Sequence, residues 1–239
     1  MNFKHKAAKV AISAATAAAT LFLATAAQAS LIGRDITGNA VASGSASEVF
    51  LYDTVLNVTW LRDANANGPM TWDAANTWAS GLNVGGYTGW RLPTMIDTGA
   101  PGCNFAYSGT DCGYNVQTKS GGIVYSEMAS LYYDTLGNKG FYNTSGAEQS
   151  GYGLVNKGDF LNMQSTLYWS GLEYAPNPSL AWNFNTFDGS QDRNGKPGSL
   201  YALAVRPGDV VAAVPEPETY AMMLLGLSAL VVAVRRRPR

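Results

Sequence analysis

Histidine is nearly absent from this chain: the single one, His5, stands close to the amino terminus. The rest of the sequence therefore offers no imidazole for chemistry. This absence excludes a Ser-His-Asp or Cys-His nucleophile, and it excludes a zinc site built on histidine ligands. Outside the amino-terminal segment, the chain therefore has no histidine to act as a general base.

Charged residues are also scarce, at 14% of the 239 residues, whereas soluble domains commonly have about a quarter. Much of the basic charge lies near the two ends, so residues 30–214 carry nine Lys or Arg and fifteen Asp or Glu. This acidic balance argues against nucleic acid as a partner. The wealth of Gly, Asn, Ser, Thr and Tyr is typical of a secreted, loop-rich domain that contains strands.

Residues 1–29 predict a secretory signal peptide. Three lysines precede an apolar stretch over residues 10–24, and Ala27-Gln28-Ala29 fits the small-x-small cleavage rule. We expect export by the Sec machinery and cleavage between Ala29 and Ser30. An uncleaved membrane anchor is the alternative.

The chain has two cysteines, Cys103 and Cys112, in a segment rich in Gly, Asn and Ser. An exported protein favours a disulfide between them. Closing this loop would stabilise the fold by roughly 2.5–3 kcal/mol in the chain-entropy model. A reactive or copper-binding thiol pair is the alternative, and no cofactor is predicted.

Hydrophobic periodicity predicts an α+β fold with two helices and short antiparallel strands. Thr71 begins the clearer helix, over residues 71–83, and Ser126 begins the second, over residues 126–136. Residues 30–47 are predicted to be an irregular lead-in and residues 141–159 a loop. Strands are predicted at residues 49–52, 58–61, 168–171, 181–185 and 200–205.

The hexapeptide Gly89 to Thr94 is predicted to be a short central strand. Trp90 and Leu92 are large apolar anchors, and burying each could contribute roughly 1.5–3 kcal/mol. Arg91 lies between them, so we expect its guanidinium to pair with a carboxylate or with backbone carbonyls.

The strand over residues 181–185 alternates, with Trp182 and Phe184 on one face and asparagines on the other. Polar and aromatic groups suit sugar hydroxyls and C–H faces, although they equally suit a solvated surface. Our hypothesis is that the polar face and its neighbours contact a ligand. The candidate residues are Asn183, Asn185, Gln191, Asp192, Arg193 and Tyr201.

Asp63, Asn65 and Asn67 are spaced like the start of a calcium loop. The twelfth position, however, is Ala74, where such a loop needs a bidentate Glu. An Asn/Gly turn is the favoured interpretation, and no metal site is predicted.

A linker over residues 210–214 leads to Pro215-Glu216-Pro217, an uncharged segment over residues 220–234 and an arginine-rich end. Residues 215–239 together resemble the PEP-CTERM sorting signal. The resemblance implies a Gram-negative bacterium and recognition by an exosortase in the inner membrane. It further implies a hydrophobic helix that anchors the protein transiently, delivery to the cell surface or matrix, and an association with exopolysaccharide and biofilm.

Residues 48–209 resemble the Lcl C-terminal domain family, which implies a C-type-lectin-like fold. The chain departs from calcium-dependent sugar lectins, because Trp182-Asn183 is followed by Phe184 rather than Asp. The resembling residues are Tyr52-Asp53, Thr59 to Leu61, Thr71 to Ala75, Gly89 to Thr94, Tyr168 to Ser170, Ala181-Trp182 and Ala204 to Pro207.

We therefore expect an exported, non-enzymatic binding module for carbohydrate or exopolysaccharide. One alternative is a glycan hydrolase that uses carboxylates as acid and base, which needs no histidine. Another is a purely structural protein of the biofilm matrix.

Overall fold

The computed structural model describes residues 31–211, which form an α+β fold dominated by strands. Within these residues, no helix is long and apolar enough to cross a membrane. The signal peptide, the Ala29–Ser30 cleavage site and the tail with its 220–234 segment lie outside the described residues. The strands are β1 (Leu31–Arg34), β2 (Phe50–Asp53), β3 (Val58–Leu61), β4 (Lys119–Ser120), β5 (Ile123–Val124), β6 (Leu167–Glu173), β7 (Leu180–Asn185), β8 (Gln191–Gly195) and β9 (Val205–Pro207).

The first sheet has the order β1-β2-β3-β9 and is antiparallel throughout. A tight turn joins β2 to β3: Asp53 Oδ1 accepts backbone N–H groups of Val55 and Leu56, and Asn57 takes a positive φ of 54°. Asn tolerates that conformation better than most residues. Leu51 therefore lies opposite Trp60, and both are fully buried in the main core.

The second sheet has the order β6-β7-β8, and a small hairpin pairs β4 with β5. β7 is the central strand, so its backbone is paired on both sides. Its residues 181–184 are all buried. The residues that alternate along β7 therefore point to two faces that are both covered, rather than to one core face and one solvent-exposed face.

Two helical segments pack against these sheets. α1 (Trp72–Gly81) begins where Thr71 Oγ1 accepts the N–H of Ala74, and it buries Ala75 and Ala79. α2 (Glu127–Ala129) is capped by Ser126 and continues as a π-helical turn over Ser130–Thr135. Both caps confirm the predicted helix starts, whereas the π-helical turn was not predicted.

The predicted strand at Gly89 to Thr94 is wrong. Only Arg91 forms a bridge there, to Val205, because Gly89 takes a φ of 77° and Pro93 lacks a ladder donor. Trp90 and Leu92 are each 2% exposed, in two separate clusters, as anchors should be.

The predicted partner of Arg91 is present. Its Nη1 and Nη2 each donate to a carboxylate oxygen of Glu127 at 2.7 Å, and Nη1 also donates to the Leu92 carbonyl. The Arg91 side chain is 35% exposed, against 5% for Glu127, so the pair sits at the edge of the core. The hydrogen bonds to Glu127 raise the pKa of Arg91 against the opposing effect of burial.

Three further segments differ from prediction. The lead-in begins with β1, an edge strand whose four residues include Gly33 and Arg34 and so give a weak strand signal. The final strand covers only Val205–Pro207, and within residues 200–204 only Leu200 and Tyr201 form bridges, one each. Residues 191–195 form β8, which was not among the predicted strands.

Candidate ligand-binding surface

The predicted polar face of β7 is not a surface. Asn183 is 1% exposed and Gln191 is 2% exposed, so neither reaches a polymer outside the domain. Gln191 is fully engaged: its Nε2 donates to the Asp111 carbonyl at 2.7 Å, and its Oε1 accepts from Ser126 Oγ at 2.7 Å. Burial argues against a ligand role for both residues: Asn183 lies on the central strand β7, whose two faces are covered, and Gln191 lies on β8, where hydrogen bonds hold its amide.

Asn183 is buried without compensation. It lies in register with Trp169 on β6 and with Asp192 on β8, and among the described residues neither its amide nitrogen nor its amide oxygen has a hydrogen-bond partner. Leaving a buried polar group unpaired costs about 1–3 kcal/mol. Asn183 is therefore a weak point of the second sheet rather than a ligand contact.

Asp192 and Arg193 lie together beside the disulfide. Arg193 donates to Asp192 at 2.7 Å and stacks over the Tyr174 ring at 5.2 Å. The disulfide between Cys103 and Cys112 is present, with 5.7 Å between the Cα atoms, as predicted. Its sulfurs and Asp192 lie close enough to share an ion, but sulfurs bonded to each other offer no thiolate ligands.

A cavity of about 600 Å³ lies within the disulfide loop. Thr98 closes one side, where its N–H and hydroxyl both donate to Asp111 Oδ2. The remaining lining is small and polar: Ala100, Pro101, Gly102, Cys103, Asn104, Ala106, Ser108, Gly109, Thr110, Asp111 and Cys112. No residue from the predicted ligand-binding set lines this cavity.

The remaining members of the predicted set support structure. Asn185 accepts the N–H of Phe187 in the turn between β7 and β8. Tyr201 is half-buried and packs on Tyr168 with 5.7 Å between ring centroids. The structure thus brings together only Asp192 and Arg193 as an accessible pair.

The calcium candidates form a turn. Asp63 Oδ1 accepts the backbone N–H of Asn65 and the side-chain amide of Asn162. Ala74, at the twelfth position, lies on the exposed side of α1. This arrangement fits the Asn/Gly turn that we favoured.

An exposed row of aromatic rings lies elsewhere, and our sequence interpretation missed it. Neighbouring rings meet edge to face, with centroid separations of 4.9, 4.6, 4.7 and 6.0 Å along the row. Tyr114 joins its middle at 5.1 Å from Tyr142. We call this row the aromatic band: Tyr107, Tyr142, Phe141, Tyr152 and Phe187, with Tyr114 beside it.

The two ends of the aromatic band are the most accessible. Tyr107 is 44% exposed and Phe187 is 53% exposed, and the rings between them are half-buried. Exposed clusters of large apolar side chains are candidates for interaction sites, and the aromatic band, with its two exposed ends, is such a cluster. The only sequence signal was the frequency of Tyr and Phe in polar, aperiodic segments.

Hydrogen bonds between loops hold the band together. Asn115 Nδ2 donates to the carbonyl oxygens of both Tyr107 and Tyr142, at 2.9 Å each. The N–H of Phe141 donates to the Asp188 carbonyl at 2.8 Å, which ties the band to the turn after β7. The rings are therefore positioned by satisfied loops rather than by a strand.

Several tyrosine hydroxyls of the described domain have a raised pKa. Burial raises the pKa of Tyr114, and the charge of Asp188 adds to the effect. Burial also raises the pKa of Tyr132 and Tyr133 and raises that of Tyr168 to about 12. Two of these hydroxyls donate hydrogen bonds, Tyr132 to the Lys139 carbonyl at 2.8 Å and Tyr133 to the Gly189 carbonyl at 2.6 Å.

A family model for the PEP-CTERM protein-sorting motif matches residues 213–237. The match confirms the sorting signal predicted in the tail and indicates an exported protein, processed by an exosortase and sorted to the cell surface. No curated protein matches the chain. The resemblance of residues 48–209 to the Lcl family has no supporting family match and stays a prediction.

Proposed function

We propose that this protein is a non-enzymatic surface module that binds an extracellular polysaccharide through the aromatic band. The observation that carries the proposal is the row of rings with exposed ends, on a protein whose tail directs it to the cell surface. In this proposal the Sec machinery exports the chain, and the inner membrane holds it until processing. The cell surface or matrix is then its site of action.

The chemistry of the band favours a sugar polymer. Aromatic rings offer large apolar area with electron-rich faces, which suits the C–H faces of pyranose rings. Glu148 forms a backbone bridge with Tyr142, and the charge of Asp188 acts on Tyr114, so acidic residues flank the band. Their negative charge would repel an acidic polymer. We therefore propose an uncharged polysaccharide as the ligand.

The carboxylates support a non-enzymatic protein over the hydrolase alternative. Several serve the structure: Asp53 holds a turn, Asp97 accepts from Trp182 Nε1 at 2.9 Å, and Glu127 binds Arg91. Glu48 is the carboxyl whose pKa is raised, chiefly by burial, as a general acid requires. Its side chain is fully buried beside Arg62, at 3.0 Å, out of reach of a polymer. The C-type-lectin-like resemblance points the same way.

Binding of the exported protein to a neutral glucan and to the host's own exopolysaccharide tests the proposal. Tyr107→Ala combined with Phe187→Ala removes the two exposed ends of the band, and we expect affinity to fall by about ten-fold or more. The melting temperature should stay nearly unchanged. Tyr52→Ala is the matched control, because this tyrosine lies on the first sheet and hydrogen-bonds only locally, to Asn57.

Wild-type binding that survives in the double variant would place the site elsewhere. Release of reducing sugar from either polymer would favour the hydrolase. Failure of the wild type to bind any polysaccharide would leave the structural matrix role as the better account.

A further inference from the structure

The chain crosses the outer face of the first sheet after β9. Gly208 turns it with a φ of 71°, its N–H donates to the Asn57 carbonyl at 2.9 Å, and Thr59 Oγ1 donates to its carbonyl at 2.7 Å. Val210 is then completely buried, in a cluster with Phe50, Leu61, Trp90 and Ala204. We call residues 208–210 the strap.

One ion pair fixes the strap to the opposite edge of the sheet. Arg34, on edge strand β1, donates from Nε to Asp209 Oδ1 at 3.0 Å and from Nη2 to Oδ2 at 2.5 Å. The two side chains are 13% and 17% exposed. Two parallel hydrogen bonds to one carboxylate give this pair a defined geometry that a single contact lacks. Because 175 residues separate the partners, the pair forms only once β1 is in place.

The sorting motif begins almost at once beyond the strap. Its match starts at residue 213, three residues after the buried Val210. Pro215 follows Val210 by five residues, and five fully extended residues would span at most about 18 Å, less than two helix diameters. Any enzyme that binds Pro215-Glu216-Pro217 must therefore come within about 18 Å of the strap.

We infer that the strap face of the first sheet abuts the membrane-embedded sorting enzyme during processing, and that the Arg34–Asp209 pair limits how far the motif reaches into it. Releasing the strap adds about three residues, or roughly 10 Å, to the free chain. The closed pair keeps the domain against the enzyme and slows processing. This inference rests on the sorting motif and is independent of the polysaccharide proposal.

Pulse-chase labelling of the full-length protein in its native host tests the inference, with loss of the tail as the readout. Inserting a Gly/Ser spacer of about ten residues between Val211 and Ala212 lengthens the reach without changing any residue of the domain. We expect processing to become about three-fold faster or more, since a flexible linker relieves a geometric limit on engagement. Arg34→Ala should accelerate processing in the same direction.

Two further variants distinguish a longer reach of the sorting motif from a general destabilisation of the domain. Exchanging the charges, with Arg34→Asp and Asp209→Arg together, should restore the wild-type rate. Arg206→Ala removes an arginine from β9 that donates to the Thr88 carbonyl rather than to the strap, and it should leave the rate unchanged. Combining the spacer with Arg34→Ala should be no faster than the spacer alone.

Unchanged processing in the spacer variant would overturn the inference, as would the absence of any processing in the host. Faster processing in Arg34→Ala without a response to the spacer would also overturn it, because the effect would then come from a loosened fold. The melting temperature of each purified variant identifies that case.

Discussion

The central strand β7 and the loops of the aromatic band differ in how sequence pattern relates to solvent exposure, and both depart from the usual relation, in which an alternating strand has one exposed face. β7 alternates aromatic and polar residues, yet residues 181–184 are all buried. The loops around Tyr107 and Tyr142 show no periodicity, yet they present rings to solvent. Alternation of polar and apolar residues shows that the two faces of a strand differ. Only the position of the strand in its sheet decides whether either face is exposed to solvent. The following predictions test this contrast.

The largest effect is expected on β7 itself. Phe184 is 1% exposed and packs against Tyr132, with 5.3 Å between ring centroids. Phe184→Ala should lower the free energy of unfolding by about 3–5 kcal/mol, because it leaves a cavity in the main core. Urea denaturation measures the loss. Tyr107→Ala, at an exposed end of the band, should lose little stability. An equally small loss in Phe184→Ala would contradict the contrast between the buried strand and the exposed band.

The next largest loss of stability is expected at Arg91, a charged side chain that is paired with Glu127. Arg91→Ala leaves the buried Glu127 without its cation and with only the Thr94 N–H as a hydrogen-bond donor among the described residues, and removing one partner of a buried pair costs about 3–5 kcal/mol. Because Arg91 is 35% exposed, we expect the low end of that range, near 3 kcal/mol. Thermal melting measures it, and Arg206→Ala serves as a control, because Arg206 donates to the Thr88 carbonyl and lies over the Tyr87 ring but pairs with no carboxylate among the described residues. Equal losses in the two variants would contradict the assignment.

Reducing the Cys103–Cys112 disulfide should cost somewhat less, about 2–3 kcal/mol. The bond closes a short loop that lies near Asp192 and carries Tyr107, so reduction should loosen both the cavity and this end of the aromatic band and should weaken binding. Denaturation with and without reductant measures the change, and alkylation of the untreated protein should modify no cysteine. Two reactive thiols in freshly exported protein would contradict the bond.

The smallest effect has the opposite sign. Asn183→Leu replaces an amide that has no partner by an apolar side chain of similar volume, so it should raise stability by about 1 kcal/mol. Asn185→Leu is the control, since that amide serves the turn and its loss should destabilise the fold slightly. Weaker polysaccharide binding by Asn183→Leu at unchanged stability would revive the ligand role that burial excludes.

Local signals predicted much of the secondary structure. The helix starts at Thr71 and Ser126 follow from side chains that cap their own backbone a few residues on, so no distant contact is needed. The disulfide follows from two cysteines in an exported chain. The pairing of Arg91 follows from the cost of leaving a guanidinium unpaired between two buried anchors.

Prediction failed where the outcome depends on distant partners. Gly89 to Thr94 contains good strand residues, but it finds only one bridge to the first sheet. Asn183 has a polar side chain, but its strand pairs on both sides and both faces are covered. The band escaped notice because its rings come from three loops that meet only in the folded chain.

By itself, the sequence determined the sorting signal of this protein, its lack of histidine-based chemistry and the starts of its helices. Each of these depends on short segments or on composition, which act without the rest of the fold. The tertiary structure alone decided that Asn183 is buried, that six rings share one surface and that Arg34 holds Asp209. These outcomes depend on contacts between residues far apart along the chain, and local propensity does not encode them.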